Sequence, residues 1–174
     1  MSATDKTTAS RFDYVTHWQT GDSDKAAQVL AFWRRQSAIG DEEQAQQRLS
    51  EVVLDARAAS GEIAGVCTAV PITLPRLAEP MYYYRCFVGT PWRRTRLVYD
   101  MMNRAFDVLE KYARENAYPC IGVLLELENA KFGTALRRPV WPHTGFIYIG
   151  KSPRNLDLRV RYFRGAHLHD GAKA

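Results

Sequence analysis

Met81-Tyr82-Tyr83-Tyr84-Arg85-Cys86-Phe87-Val88 is an apolar, aromatic run of strand type. Gly89-Thr90-Pro91 breaks it, and a basic corner follows, Trp92-Arg93-Arg94-Thr95-Arg96. Beyond Leu97, the residues Val98, Met101, Met102, Ala105, Leu109 and Tyr112 recur at helical spacing, so one face of a helix should lie on the sheet. The corner sets a helix N-terminus, with its free amides and partial positive charge, beside three guanidinium groups. That is the chemistry of an anion site, for phosphate or pyrophosphate above all. In isolation an ordinary strand-to-helix turn with a solvated basic rim would read the same way. The rest of the chain has to decide.

A chain of 174 residues suits one domain with a sizeable core. Hydrophobic residues make up 46% and charged residues 25%, the balance of a globular protein rather than a disordered one. The net charge of +5 gathers at the basic corner, at Arg137-Arg138 and between Arg154 and Arg164. It suits an anionic cofactor, an acidic partner or nucleic acid. No apolar run approaches the roughly 20 residues that cross a bilayer. Residues 1–10 lack an apolar signal core and read as a disordered polar lead. Cys67, Cys86 and Cys120 are scattered through strand-like segments without metal spacing, as reduced, buried thiols of a cytoplasmic protein would be.

Outward from the central stretch, Phe12 to Trp18 alternates in the manner of a first strand. Asp22 or Ser23 can cap a helix that runs to Ile39 and ends at Gly40. Asp41 with Gln44 resembles a capping box for a short polar helix to about Leu49. Residues 51–56 and 62–70 read as a hairpin around Gly61; the rival reading continues the second helix through Ala59, with Gly61 as its C-cap. Pro71, Pro75 and Pro80 bracket a loop. After the central helix, residues 120–128 form a near-continuous apolar run that suits a strand buried on both faces. Asn129 can cap a helix to about Arg138, which Pro139 and Pro142 stop. Residues 145–150 and 156–163 close the chain as two strands, and residues 166–174 read as a frayed tail.

A strand ending in Val, a Pro turn, an aromatic residue, Arg-Arg-x-x-Leu-Val and an amphipathic helix resemble the acyl-CoA-binding motif of the GCN5-related N-acetyltransferases. The element order from Phe12 to Phe163 and the Gly145-Phe146 pair are similar to that family too. The chain departs from its usual motif: Arg94 and Arg96 stand where glycines are usual, and Val98 at a Gly/Ala position. The resemblance implies an α/β (α+β) fold over residues 11–165, with a mixed, mostly antiparallel sheet of about six to seven strands and about four helices. It also implies an acetyl-CoA or other acyl-CoA co-substrate. Its pyrophosphate would lie on Arg93, Arg94, Thr95, Arg96, Leu97 and Val98, and its pantetheine on the main chain of Phe87 and Val88 and on Asn129.

Acyl transfer to an amine needs a neutral amine and a proton for the departing thiolate. The family's frequent base, a Glu on the fourth strand, is replaced here by tyrosines, and the Tyr that usually serves as acid is replaced by Leu136. Glu126 and Glu128 alternate onto one strand face, where they could bind an amine or relay its proton. Glu128, His143 and Tyr148 are therefore the expected catalytic side chains. Each also has a plain structural reading: a solvated strand end, a surface-loop histidine and a sheet residue. Trp141, between prolines, either walls an acyl pocket or anchors its loop. Cys86, near the expected thioester, has no neighbouring His in sequence to activate it. His167-Leu168-His169 has metal-like spacing without a supporting Cys or carboxylate cluster, and no metal is expected. Two other readings stay open: a non-catalytic acyl-CoA binder on the same fold, and a basic nucleic-acid-binding domain. The acceptor amine, small molecule or protein, is not legible, and dimerisation rests on analogy alone.

Overall fold

The computed structural model describes residues 11–93, 95–128 and 137–169. Asp22 accepts hydrogen bonds from the amides of Asp24 and Lys25, both at 3.1 Å, and so starts α1 (Ser23–Gln36). That helix ends three residues before the expected Ile39. Ser37 adopts a left-handed conformation (φ 49°), and its amide and that of Ala38 close back on Arg34 and Trp33. Nothing in the sequence marks Ser37 for that role, and Gly40 does not fill it. Asp41 caps α2 (Glu42–Leu49) through the amide of Gln44 at 2.9 Å. The next segment is a hairpin, β2 (Val52–Arg57) and β3 (Ile63–Leu74), turned by Gly61 at φ 81°. The rival helical reading is excluded.

The expected proline loop is mostly strand. β3 runs through Pro71, and β4 (Glu79–Val88) begins before Pro80. Pro71 is tolerated because β2 has already ended on the side its nitrogen faces, where Glu51 O takes the amide of Ala69. With β1 (Asp13–Thr16), α3 (Leu97–Glu115), β5 (Gly122–Leu127), β6 (Ile147–Lys151) and β7 (Asp157–Tyr162), the strands form one seven-stranded sheet ordered β1-β2-β3-β4-β5-β7-β6. Every pairing is antiparallel except β4 with β5. Three α-helices are described. The helix expected from Asn129 to about Arg138 falls for residues 129–136 outside the described residues. Among the described residues no helix is long and apolar enough to cross a membrane.

One sheet face packs on α3, whose Leu97, Met101, Met102, Ala105, Phe106, Leu109 and Ala113 are buried. Each of the larger side chains contributes about 1.5–3 kcal/mol by leaving water. The buried stripe is rotated from the expected one: Leu97 and Phe106 replace Val98 and Tyr112, which lie at its margin. The other face carries α1, through Val29, Phe32 and Trp33, over Val52, Ile63 and Val66. The chain after Phe163 is not frayed as far as His169: the His169 amide donates to Glu79 Oε1 at 2.9 Å, and its ring meets Glu79 Oε2.

Gly122 shows how closely β5 and β7 approach. A Cβ there would lie 2.4 Å from the Arg161 carbonyl oxygen and 2.9 Å from the Tyr162 Cα. Those atoms are backbone and cannot yield without opening the ladder. We expect Gly122→Ala to destabilise the protein by about 1–3 kcal/mol or more, read as a lowered urea midpoint. An unchanged midpoint would show that the two strands are not held at this spacing.

Candidate active site

The parallel pairing of β4 with β5 lasts for two residue pairs, Tyr82 with Val123 and Tyr83 with Leu124. Beyond them the strands part, while β4 stays paired with β3 to Val88 and β5 with β7 to Leu127. The sheet therefore opens into a wedge between the C-terminal halves of its two central strands. The Gly89 amide donates to Ala64 O at 2.8 Å on the β3 side. Alternation along an antiparallel ladder then turns the main-chain groups of Tyr82, Tyr84, Cys86 and Val88 toward β5 and, for the last two, into the wedge. Phe87, expected to offer its main chain here, has it directed at β3; its ring packs against Phe32 of α1. The main-chain positions facing the opening are Cys86 and Val88.

The basic corner closes the wide end of the wedge. A 3-10 turn (Thr90–Trp92) leads to α3, and Thr95 Oγ1 holds the junction, donating to Trp92 O at 2.8 Å and accepting from the Leu97 amide at 3.2 Å. Thr95 is thus occupied as a cap, its amide donating to Trp92 O at 3.2 Å, and Leu97 is buried with its amide on Thr95. Arg93 folds back: its Nε donates to Val88 O at 3.1 Å, and its guanidinium lies 5.5 Å from the Phe87 ring centre. Arg96 is exposed and Val98 half-buried. Arg94 and Asn129 lie outside the described residues.

On the face away from α3, an ionic cluster spans the mouth of the wedge near its fork. The Tyr83 hydroxyl donates to Glu126 Oε2 at 3.1 Å. Arg154 pairs with Glu126 and reaches Glu128 Oε1 at 3.1 Å and the Tyr83 oxygen at 3.4 Å. The buried Ser152 hydroxyl shapes the turn that carries Arg154, accepting from the amides of Arg154 and Leu156. Arg85 lies 4.5 Å over the Tyr83 ring and 3.4 Å from Glu51. Burial pushes the Glu126 carboxyl up, but hydrogen bonds from Arg154, Ser152 and Tyr83 outweigh it and hold the group below its ordinary range. Burial and the Glu126 charge push the Tyr83 phenol the other way, so it keeps its proton.

Structural comparison places this architecture among known proteins. No known family profile matches the sequence, and no curated protein matches it. Solved structures do. An acetyltransferase of the GNAT family from Streptococcus pneumoniae superposes with a TM-score of 0.60 at 13% identity, over 87% of this chain and 99% of its own. The fold is that of the GCN5-related N-acetyltransferases. A GNAT-family N-acetyltransferase from Escherichia coli, solved in complex with CoA, matches at TM-score 0.58 and 13% identity, over 87% of this chain and 81% of its own. The yncA protein of Salmonella typhimurium, solved with its cofactor acetyl-CoA, matches at 0.58 and 15%, over 93% and 99%.

On this acetyltransferase fold, the three side chains expected to be catalytic do not meet. Glu128 is exposed, with Arg154, on the face away from α3. His143 and Tyr148 are on the opposite face. The His143 ring lies 6.4 Å from Tyr99 of α3, and its carbonyl accepts from Asn103 at 3.1 Å. Tyr148 is exposed on β6 beside Arg159. Trp141 anchors its loop: it is buried, its amide bonds Phe146 O, and the buried Arg159 stacks on it at 4.3 Å while donating to Arg138 O and Pro139 O. Burial drives the Cys86 thiol up to about 11, which leaves it a poor nucleophile. Among the described residues no three of His, Cys, Asp and Glu gather to hold a metal ion. Two surface hollows, of about 230 and 430 Å³, are lined by neither β4 nor β5.

Proposed function

We propose that the protein is an acyl-CoA-dependent N-acyltransferase of one domain, acting in the cytoplasm with acetyl-CoA as donor and a small amine as acceptor. The observation that carries this reading is the wedge between β4 and β5, lined by outward main-chain groups and closed by a helix N-terminus with a basic rim. A pantetheine arm is extended and amide-bearing, so it can pair with Cys86 and Val88 as a further strand would. The amides of Arg96 and Val98 at the start of α3, with the dipole of that helix, suit a pyrophosphate, and Arg93 and Arg96 add charge. Arg93 would release the Val88 carbonyl as the arm enters. The bulk of Val98 at a usually small position is accommodated by its lying at the margin of the buried stripe.

A bound thioester supplies an acyl carbon open to attack and a thiol that can leave. The chain's own residues manage two protons. As the C–N bond forms and the C–S bond breaks, the nitrogen becomes strongly acidic, and Glu126, though a weak base, can take its proton. Tyr83, kept protonated, gives one to the sulfur. The hydrogen bond between them returns the proton from Glu126 to Tyr83, so the chain ends as it began and one amide and one thiol leave. Arg154 keeps Glu126 ionised, and Glu128 steadies Arg154.

Calorimetric titration of acetyl-CoA tests the donor site. We expect micromolar binding by the wild type, weakened at least tenfold in an Arg93→Ala, Arg96→Ala double variant, as the loss of charge-assisted contacts to a phosphate implies. A folded wild type that binds no acetyl-CoA would overturn the reading.

A further inference from the structure

The ionic cluster at the wedge mouth is divided by sign. On the α2 and β4 side are Arg48 and Arg85 with the single carboxylate of Glu51; on the β5 side, Glu126 and Glu128 with the single guanidinium of Arg154. Tyr83 stands between them, its ring under Arg85 and its hydroxyl on Glu126. One side thus carries one excess positive charge and the other one excess negative charge.

The positive side is short of an anion. Arg85 reaches Glu51 only at 3.4 Å. Arg48, half-buried at the end of α2, makes no ion pair among the described residues, although Arg85, Glu51, Glu128 and Tyr83 all lie within electrostatic reach. Burial and the Arg85 charge both disfavour its guanidinium, and neither is offset by a direct partner. Two neighbouring guanidiniums with one carboxylate between them, paired to Arg85 alone, form a receptor for a second carboxylate, which guanidinium groups bind in fork geometry.

Resting on the acyltransferase reading, we propose that the acceptor is a small amine with a carboxylate close to its nitrogen, of α-amino acid form. Its carboxylate lies on Arg48 and Arg85, and its amine turns toward Glu126 and Glu128. The charge division of the mouth then matches a zwitterion in one orientation, with the nitrogen nearer the fork of the wedge, where the donor arm ends. A neutral or purely cationic amine leaves the Arg48 side uncompensated.

The test compares glycine and L-alanine with glycinamide and L-alaninamide as acceptors for the full chain, following thiol release from acetyl-CoA. The amide counterparts are the more easily deprotonated amines, so a preference for the acids cannot come from amine basicity. We expect kcat/KM at least tenfold higher for the acids. Arg48→Gln should raise KM for L-alanine about ten- to a hundredfold, with kcat, acetyl-CoA affinity and the KM for L-alaninamide little changed, and Arg48→Lys should recover part of the loss; Arg85→Gln should raise the KM for L-alanine by a similar factor. Amides used as well as acids, or variants that shift both alike, would overturn the proposal while leaving the acyltransferase reading intact. Calorimetry of L-alanine and L-alaninamide with the unliganded protein separates the two ideas. Acid-selective binding lost in Arg48→Gln upholds the site even if acetyl-CoA fails to bind; equal binding of both, or of neither, removes it.

Discussion

Glu126→Gln lowers kcat/KM for acetyl transfer by about 10²-fold or more, with acetyl-CoA affinity within about twofold of the wild type. The substitution keeps the size of the side chain and a hydrogen-bonding oxygen for Arg154 and Tyr83 but removes the charge and the basic site. Tyr83→Phe should produce a loss of similar size, since the phenol hydroxyl bonds Glu126 directly at 3.1 Å. The two act as one proton-handling unit, so the double variant should be little worse than either single one. A merely structural role for the pair would lower the melting temperature and leave kcat unmoved. Steady-state rates at saturating acetyl-CoA, with circular dichroism to confirm folding, distinguish the outcomes. Wild-type kcat in both single variants would move the chemistry elsewhere.

The largest expected effect on stability comes from the opposite edge of the sheet. Asp55 on β2 is fully buried and accepts from His17 Nε2 at 2.7 Å and from Arg57 Nε and Nη2 at 2.9 and 3.0 Å. Asp55→Ala leaves the Arg57 charge and the buried His17 ring without their acceptor and should cost about 3–5 kcal/mol. Burial alone would raise the Asp55 carboxyl, but the hydrogen bonds from His17 and Arg57 outweigh it and hold it below its ordinary value. Its folded-state affinity for a proton is thus depressed. The stability it contributes is present above the usual carboxylate value of about 3.9 and is lost as pH falls through the lower folded value. Urea unfolding at pH 7 should show the loss, and titration from pH 5 to 3 should be flatter in Asp55→Asn than in the wild type. A variant within about 0.5 kcal/mol of the wild type at pH 7, the range of a neutral surface change, would contradict this role.

Local chemistry was readable where one side chain meets its own backbone. Asp22 and Asp41 cap helices as their positions imply, and Gly61 turns the hairpin. Ser37 was not readable, because the left-handed turn at the end of α1 is imposed by how α1 joins α2 rather than by residue preference. At the site, alternation correctly placed Glu126 and Glu128 on one strand face, and the basic corner announced a helix N-terminus. Which of Tyr82, Tyr83 and Tyr84 faces that pair depends on the parity of β4, and the β3 ladder sets it. Arg154, in the turn before β7, becomes a partner of Glu126 only because β7 lies directly beside β5. His143 and Tyr148 are close to Glu128 along the chain, but the sheet puts them on the opposite face from it. Spacing reports neighbours within an element; the order of strands decides neighbours across it.

The most direct test follows main-chain amides by two-dimensional NMR while acetyl-CoA is titrated into the wild-type protein. The wedge predicts saturable shifts of Cys86 and Val88 and of the segment from Arg93 to Val98, with one micromolar dissociation constant for all of them. The buried β2 amides should stay still. Absence of shifts, or saturable shifts confined to residues outside β4, β5 and the basic corner, would contradict the assignment of this opening as an acyl-CoA site.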